Sequence, residues 1–206
     1  PQPSFVGEKI NKVLFFRNRL CMFSRENIIF SQTNDFFNFW SNSAVAVAND
    51  DPIDIQSSST FPTKLFDGIE VNTGLLVFFN NQQFMCTTDS DSFSPSTAKI
   101  NSLCSYNFNS ATKPFSLGTT VGFLNSTGKN ARVFEMTNIR REGEPTVVEQ
   151  SKIVSKLLPI GLTEPTVSKE NNLLLIAEPG SSEVWGYRYY QQGDKRVQSA
   201  WFRWTF

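Results

Sequence analysis

The stretch Val13-Leu14-Phe15-Phe16-Arg17-Asn18-Arg19-Leu20-Cys21-Met22-Phe23 shows most directly how this chain folds. Two apolar runs flank a short polar turn, Arg17 to Arg19, which is the pattern of an antiparallel β-hairpin. A third run, from Asn27 to Ser31, follows closely and predicts a further strand. We also expect Arg17 or Arg19 to make a fixed ion pair or carbonyl contact, because a planar guanidinium can bind several oxygen atoms at once.

The same succession of apolar run, turn and apolar run occurs in three more segments: Leu75 to Cys86, Val121 to Met136 and Leu173 to Tyr190. Equivalent apolar positions are 62, 45 and 53 residues apart: Leu14, Leu76, Val121 and Leu174. Four-stranded sheets that recur at about 40 to 50 residues are typical of β-propellers. We predict an all-β fold of irregular β-propeller-like blades, made of antiparallel hairpins with short helical insertions. A β-sandwich with irregular hairpins is the alternative.

The chain is expected to be one β-rich fragment, 1–206, of a larger protein, since it starts with Pro1 and stops at Phe206 inside an aromatic run. Blade-like units are predicted at about 5–40, 74–136 and 166–206. The inserted connectors between them are 41–73, with a helical turn or two, and 137–165. In the second connector, the apolar positions from Val148 to Leu158 predict a short amphipathic helix that ends before Pro159.

Composition limits the possible classes of function. Lys plus Arg and Asp plus Glu are both 19, so the net charge is zero, and no whole-molecule field would attract nucleic acid or a membrane surface. No apolar run approaches the roughly 20 residues of a membrane-spanning helix, so no stable membrane segment is expected. The 20 phenylalanines favour half-buried β-surfaces, in which rings fill the space between sheets.

The sequence contains no histidine, which excludes a Ser-His-Asp triad, a Cys-His pair and a histidine-rich metal site. Asp50, Asp51 and Asp54 could still supply the carboxylate pair of a glycosidase, but Asp beside Pro52 more simply predicts a turn. The three cysteines lack metal-ligand spacing and are expected to be reduced, apolar fillers. The sequence therefore predicts no enzyme, no metal site and no cofactor.

Several blocks of sequence occur in a characteristic order. They are Pro3 to Gly7, Phe15 to Leu20, Ser24 to Ser31, Asp35 to Phe39, Asp51 to Asp54, Leu76 to Phe84, and Arg196 to Trp204. In their order and spacing the chain resembles the tail tubular protein B, or nozzle, family of T7-like podoviruses, and the resemblance covers nearly the whole chain. Cys21 departs from the family pattern, which often has glycine after Arg-Leu.

The resemblance implies a structural component of a short-tailed phage tail, located in the virion tail and assembled in the host bacterial cytoplasm. The implied fold is an irregular β-propeller with inserted domains. The implied partners are other copies of the full-length protein in a homo-hexameric ring, an adaptor ring like tail tubular protein A, tail fibres, and double-stranded DNA in transit during ejection. The resemblance carries over no catalytic residues.

The resemblance and the turn and aromatic patterns together give the residues expected to have structural or interface roles: Arg17, Asn18, Arg19, Asp35, Phe36, Phe37, Asp51, Asp54, Arg196, Gln198, Trp201 and Trp204. The competing interpretation makes the basic pairs solvated turn charges and the aromatic runs ordinary core. The alternative function is a receptor- or carbohydrate-binding propeller module of a phage tail. That function predicts exposed Trp or Tyr beside amide and acidic side chains on one rim.

Overall fold

The computed structural model describes residues 2–58, 63–125, 128–192 and 195–206. These residues form sixteen β-strands and one short 3-10 helix. The strands make four four-stranded sheets in which all paired strands are antiparallel. The all-β, antiparallel prediction is therefore confirmed.

Each sheet is a meander whose strands lie side by side in chain order. Sheet 1 contains β1 Ile10–Phe16, β2 Arg19–Ser24, β3 Asn27–Phe30 and β4 Ile53–Gln56. Sheet 2 contains β5 Leu65–Val71, β6 Gly74–Phe79, β7 Gln83–Thr88 and β8 Ala98–Cys104. Sheet 3 contains β9 Phe115–Ser116, β10 Val121–Asn125, β11 Arg132–Thr137 and β12 Thr146–Glu149. Sheet 4 contains β13 Glu164–Ser168, β14 Leu173–Ala177, β15 Glu183–Gln192 and β16 Lys195–Thr205.

The first hairpin has a tighter turn than the sequence indicated. Phe16 pairs directly with Arg19, and the two residues between them, Arg17 and Asn18, have φ angles of 46° and 58°. Two consecutive positive φ angles are the mark of a type I′ turn, whose twist matches that of the flanking strands. Arg19 therefore belongs to β2 and not to the turn. The six-residue turn predicted for the third hairpin includes 126–127, which lie outside the described residues.

The amphipathic helix predicted over Val148 to Leu158 is wrong. Val148 lies in β12 and pairs with Glu135 of β11, and within the described residues of 137–165 the helical structure is a single 3-10 turn, Lys152–Val154. The connector 41–73 contains all of β4 and β5 and no helix in its described part. A free ladder edge was available to each segment, and backbone pairing with that edge outweighed the helical spacing of apolar side chains.

The chain divides into two compact units. Unit 1 is Pro1–Tyr106 with Arg140–Glu144, and unit 2 is Asn107–Ile139 with Pro145–Phe206. Sheets 1 and 2 share the core of unit 1, where the rings of Phe16 and Phe30 each meet Phe93 edge-to-face. Sheets 3 and 4 share the core of unit 2, which includes Leu124, Val133, Leu174, Ile176 and Tyr187. Each unit is therefore a pair of meanders that bury their facing sides together.

Candidate functional site

Arg19 is the centre of a polar clamp in unit 1. Its side chain points inward from β2 and is only 1% exposed. The guanidinium donates hydrogen bonds of 2.7 to 3.4 Å to five backbone carbonyl oxygens: those of Ser31, Asn49, Asp50, Asp51 and Phe93. This confirms the prediction that at least one of the two hairpin arginines makes a fixed ion pair or carbonyl contact.

The guanidinium of Arg19 is held by backbone carbonyl oxygens, and it makes no direct ion pair among the described residues. Burial lowers the pKa of Arg19, and the nearby charges of Asp50 and Asp51 partly oppose that change. The oriented carbonyl dipoles replace the water that the guanidinium loses on folding. Arg19 thereby fixes both ends of residues 32–51, here called the clamped loop, to β2.

Asp51 orders the clamped loop from within. Its carboxylate is buried, with residue exposure of 1%, and it accepts hydrogen bonds from the backbone N–H groups of Ala48 at 2.9 Å and Asn42 at 3.3 Å. These contacts are those of a capped turn, as the sequence predicted for this run. Because its carboxylate oxygens are engaged by backbone amides, Asp51 is poorly placed to act as a general acid or nucleophile.

The clamped loop presents apolar side chains to solvent. Phe37 is 88% exposed and Val45 is 97% exposed. Phe36 is half-exposed and packs edge-to-face on Phe15, with ring centroids 5.2 Å apart. By contrast, Phe39 is buried beside the ring of Phe5. The loop is therefore anchored at its base and exposes apolar side chains farther along it.

The remaining candidates in unit 1 have smaller structural roles. Arg17 places its guanidinium 5.6 Å from the ring centroid of Phe16. The carbonyl oxygen of Asn18 accepts a hydrogen bond from the backbone N–H of Asn34 at 2.9 Å. The backbone N–H of Asp35 donates a hydrogen bond to the carbonyl oxygen of Gln32. The carboxylate of Asp54 accepts hydrogen bonds from Ser4 and Asn27, each at 2.9 Å.

A second polar clamp joins sheets 3 and 4 inside unit 2. Arg196 donates to the carboxylate of Glu135 at 2.6 Å and to the hydroxyl of Tyr187 at 2.8 Å. Its guanidinium also lies 4.3 Å from the ring centroid of Tyr189. Glu135 accepts two more hydrogen bonds, from the hydroxyl of Thr120 at 2.6 Å and the side-chain amide of Gln150 at 2.7 Å.

The charges of this second clamp stabilise each other. Burial disfavours the charged guanidinium of Arg196, but the hydrogen bond and the charge of Glu135 outweigh it and raise the pKa of Arg196. Sequence reasoning selected Arg196 but missed Glu135, although a lone acidic residue between Phe134 and Met136 in an apolar strand is a usable signal.

Alternation along β16 separates the last three candidates. The indole N–H of Trp201 donates to the carbonyl of Gln150 at 2.9 Å, and its ring lies 4.9 Å from that of Tyr187. Trp201 therefore belongs to the second clamp. Gln198 and Trp204 lie on the other face of the strand, exposed, because neighbouring residues of a strand point to opposite sides.

The three cysteines are buried free thiols. Burial raises the pKa of Cys21, and it raises the pKa of Cys86 and of Cys104 to about 12. Among the described residues no group of three His, Cys, Asp or Glu side chains could hold a metal ion. No helix in the described part of the chain is long and apolar enough to cross a membrane.

We expect the native thiols to resist Ellman's reagent at mildly alkaline pH. A raised pKa keeps each thiol protonated at that pH, and only the thiolate attacks the reagent. Absorbance after mixing should show almost no fast reaction, and adding concentrated guanidinium chloride should release three equivalents. A thiol in the native chain that reacts as fast as free cysteine would contradict this description of the core.

Comparison with known proteins agrees with the resemblance seen in the sequence. The chain is 28% identical over 208 residues to tail tubular protein gp12 of Escherichia phage T7, an alignment that covers 100% of this chain and 26% of that protein. The chain thus spans about a quarter of the length of this curated relative. Residues 1–206, the whole chain, match the family described as bacteriophage nozzle protein. This match shows that the chain belongs to the bacteriophage nozzle protein family.

Proposed function

We propose that the chain is a non-catalytic wall segment of a tail nozzle, the distal tube through which DNA leaves the capsid of a short-tailed phage. Membership of the nozzle family makes it a structural part of a phage tail, located in the virion tail. The match over the whole chain is the observation that carries the proposal. The partners that we propose for the full-length protein are its own copies in a hexameric ring, an adaptor ring and tail fibres.

We further propose that each four-stranded sheet is one blade of a propeller-like domain. Every sheet is a meander with its strands in chain order, which is the connectivity of a blade. Within each unit the two consecutive sheets share one apolar core, as neighbouring blades do. The recurrence of hairpins along the sequence supports the same interpretation.

The chemistry of the chain suits a conduit that does not retain DNA. Each phosphate that Lys or Arg neutralises adds salt-dependent affinity, and such affinity would hold the genome in the tube. The net charge is zero, and the two most buried arginines, Arg19 and Arg196, are committed to carbonyls and to Glu135. We expect only weak, salt-sensitive binding of DNA to the isolated chain, and no hydrolytic activity.

The tip of the clamped loop is the assembly contact that we propose for unit 1. Phe37 is nearly fully exposed, and burying such a ring against a neighbouring protein would contribute about 1.5 to 3 kcal/mol. Because Arg19 and Asp51 already hold the base of the loop, little conformational entropy would be lost on contact. Such pre-ordering favours stable assembly.

Substituting Phe37→Ser in the full-length protein should reduce the yield of assembled rings about tenfold, because the exposed ring no longer gains burial at the contact. Electron microscopy and analytical ultracentrifugation with the adaptor ring would measure the yield. Ile153→Ser is the matched control, since Ile153 is also exposed but lies outside the loop, and it should assemble as the wild type does.

The nozzle function and the assembly contact at the clamped loop are tested by different results. Wild-type full-length protein that remains monomeric beside its adaptor ring would rule out the nozzle function. Rings that form equally well with Phe37→Ser would leave the nozzle function standing and remove the clamped loop from the contact.

A further inference from the structure

The outer face of the β15–β16 hairpin carries three polar side chains without partners. Arg188, Tyr190 and Gln198 share this face, since Tyr190 pairs with Gln198 and Arg188 pairs with Ala200. All three are exposed, and Tyr190 is 57% exposed. Within the described residues, no hydrogen bond, ion pair or ring contact involves their side chains.

On the opposite face of the same hairpin, the hydroxyls of two tyrosines and the guanidinium of Arg196 make hydrogen bonds within unit 2. There the hydroxyl of Tyr187 donates to Gln150, the hydroxyl of Tyr189 donates to the carbonyl of Leu117, and Arg196 binds Glu135. The stability of unit 2 therefore accounts for Tyr187, Tyr189 and Arg196 on the inner face. It does not account for Tyr190, Gln198 and Arg188, which lie side by side on the outer face.

These side chains line a cleft of about 350 Å³, together with Ala200, Asn171 and Asn172. That volume lies in the range of small-ligand sites, about 300 to 1,000 Å³. Ala200 is small and leaves space beside Arg188. Asn171 is held in place because its side-chain amide donates a hydrogen bond to the hydroxyl of Ser168 at 2.8 Å. The carbonyl oxygen of Asn172 accepts a hydrogen bond from the backbone N–H of Tyr189 at 3.0 Å.

The chemistry of the lining selects one class of ligand. An exposed tyrosine ring offers an apolar face with a polar tip, which suits the C–H face of a sugar. The amides of Gln198 and Asn171 offer both donors and acceptors for vicinal hydroxyl groups. The unpaired guanidinium of Arg188 matches a single carboxylate in a bidentate geometry. From this set we infer that the cleft, here called the Tyr190 cleft, binds a saccharide that carries a carboxylate group.

Single-stranded nucleic acid fits the cleft less well. Stacking on Tyr190 would accept a base, but affinity for a strand depends on several cations that follow its phosphates. Arg188 is the one cationic side chain in the lining. A single guanidinium satisfies one acidic sugar but not a run of phosphates.

Saturation-transfer difference NMR on the 206-residue chain tests this inference with a galacturonic acid oligosaccharide. Its methyl ester, which has the same sugars without the charge, is the matched ligand. We expect the acid form to bind more tightly than the ester. Tyr190→Ala should weaken both by about tenfold or more, whereas Arg188→Gln should remove only the preference for the acid.

Arg132→Gln is the control variant, because it makes the same change of charge at an exposed position of sheet 3. It should leave binding unchanged, and circular dichroism should show that every variant is folded. The inference is overturned if neither sugar binds at millimolar concentration, if Arg132→Gln and Arg188→Gln have equal effects, or if oligothymidylate binds more tightly than the acidic sugar. The experiment uses the isolated chain, so its result does not depend on nozzle assembly.

Discussion

Arg19→Met is expected to lower the free energy of unfolding of unit 1 by about 3 to 5 kcal/mol. The methionine side chain fills much of the same space but donates no hydrogen bond. Five carbonyl oxygens that the guanidinium now satisfies would then lose a donor at sites that are wholly or partly buried. Guanidinium chloride denaturation followed by circular dichroism would measure the change, and hydrogen exchange would locate it in β2 and β3.

Arg17→Met in the same hairpin is the matched control. Arg17 is exposed, and its contact in unit 1 is with the rings of Phe16 and Phe93, so the loss should be about 1 kcal/mol or less. Arg19→Lys should give an intermediate loss, since an ammonium has three donors and cannot reproduce the planar fork. Equal losses for Arg17→Met and Arg19→Met would show that the clamp does not stabilise the unit.

The two-residue turn explains why one arginine of the hairpin is structural and the other is not. A turn one residue longer would have placed Arg19 outside β2, and its side chain would have pointed elsewhere. The sequence indicated that one of the two arginines would make a fixed ion pair or carbonyl contact, because the hairpin around it is apolar. It could not indicate which carbonyls, since Asn49 and Phe93 lie 30 and 74 residues away along the chain.

The hairpins could be predicted because their signals are local. Alternation with period two and the residues of a turn both act within about a dozen positions. The helix expected over Val148 to Leu158 failed for the opposite reason. Its apolar spacing is local, but the backbone of β12 is decided by pairing with β11, and that pairing is a tertiary contact which the spacing does not reveal.

The contacts of the second clamp could not be predicted from the sequence for the same reason. Arg196 and Glu135 are 61 residues apart, and neither residue indicates the other in the sequence. The block from Arg196 to Trp204 was selected as a whole, whereas the structure divides it by face. Trp201 and Arg196 point into unit 2, and Gln198 and Trp204 point to solvent. Without the register of β16 against β15, the block could not be divided in this way.

A double-mutant cycle on Glu135 and Arg196 should give the largest effect in unit 2. Glu135→Gln and Arg196→Met are each expected to lower the free energy of unfolding by about 3 to 5 kcal/mol, because each leaves the opposite charge buried without its partner. The side chain of Glu135 is 2% exposed and that of Arg196 is 19% exposed, so water can replace little of the lost interaction. Denaturation followed by the fluorescence of Trp185 and Trp201 would measure each loss.

The double mutant should lose less than the two single losses added together, by about 1 to 3 kcal/mol, because no uncompensated charge remains once both partners are neutral. The ion pair between Arg203 and Glu183 is the control, since it lies on the same hairpin at 3.1 Å with its side chains 52% and 33% exposed. Water screens that pair, so Arg203→Met should cost no more than about 1 kcal/mol. Additive losses at Glu135 and Arg196, or a loss from Arg203→Met as large as theirs, would show that sheets 3 and 4 are held together by their apolar core and not by the buried charge pair.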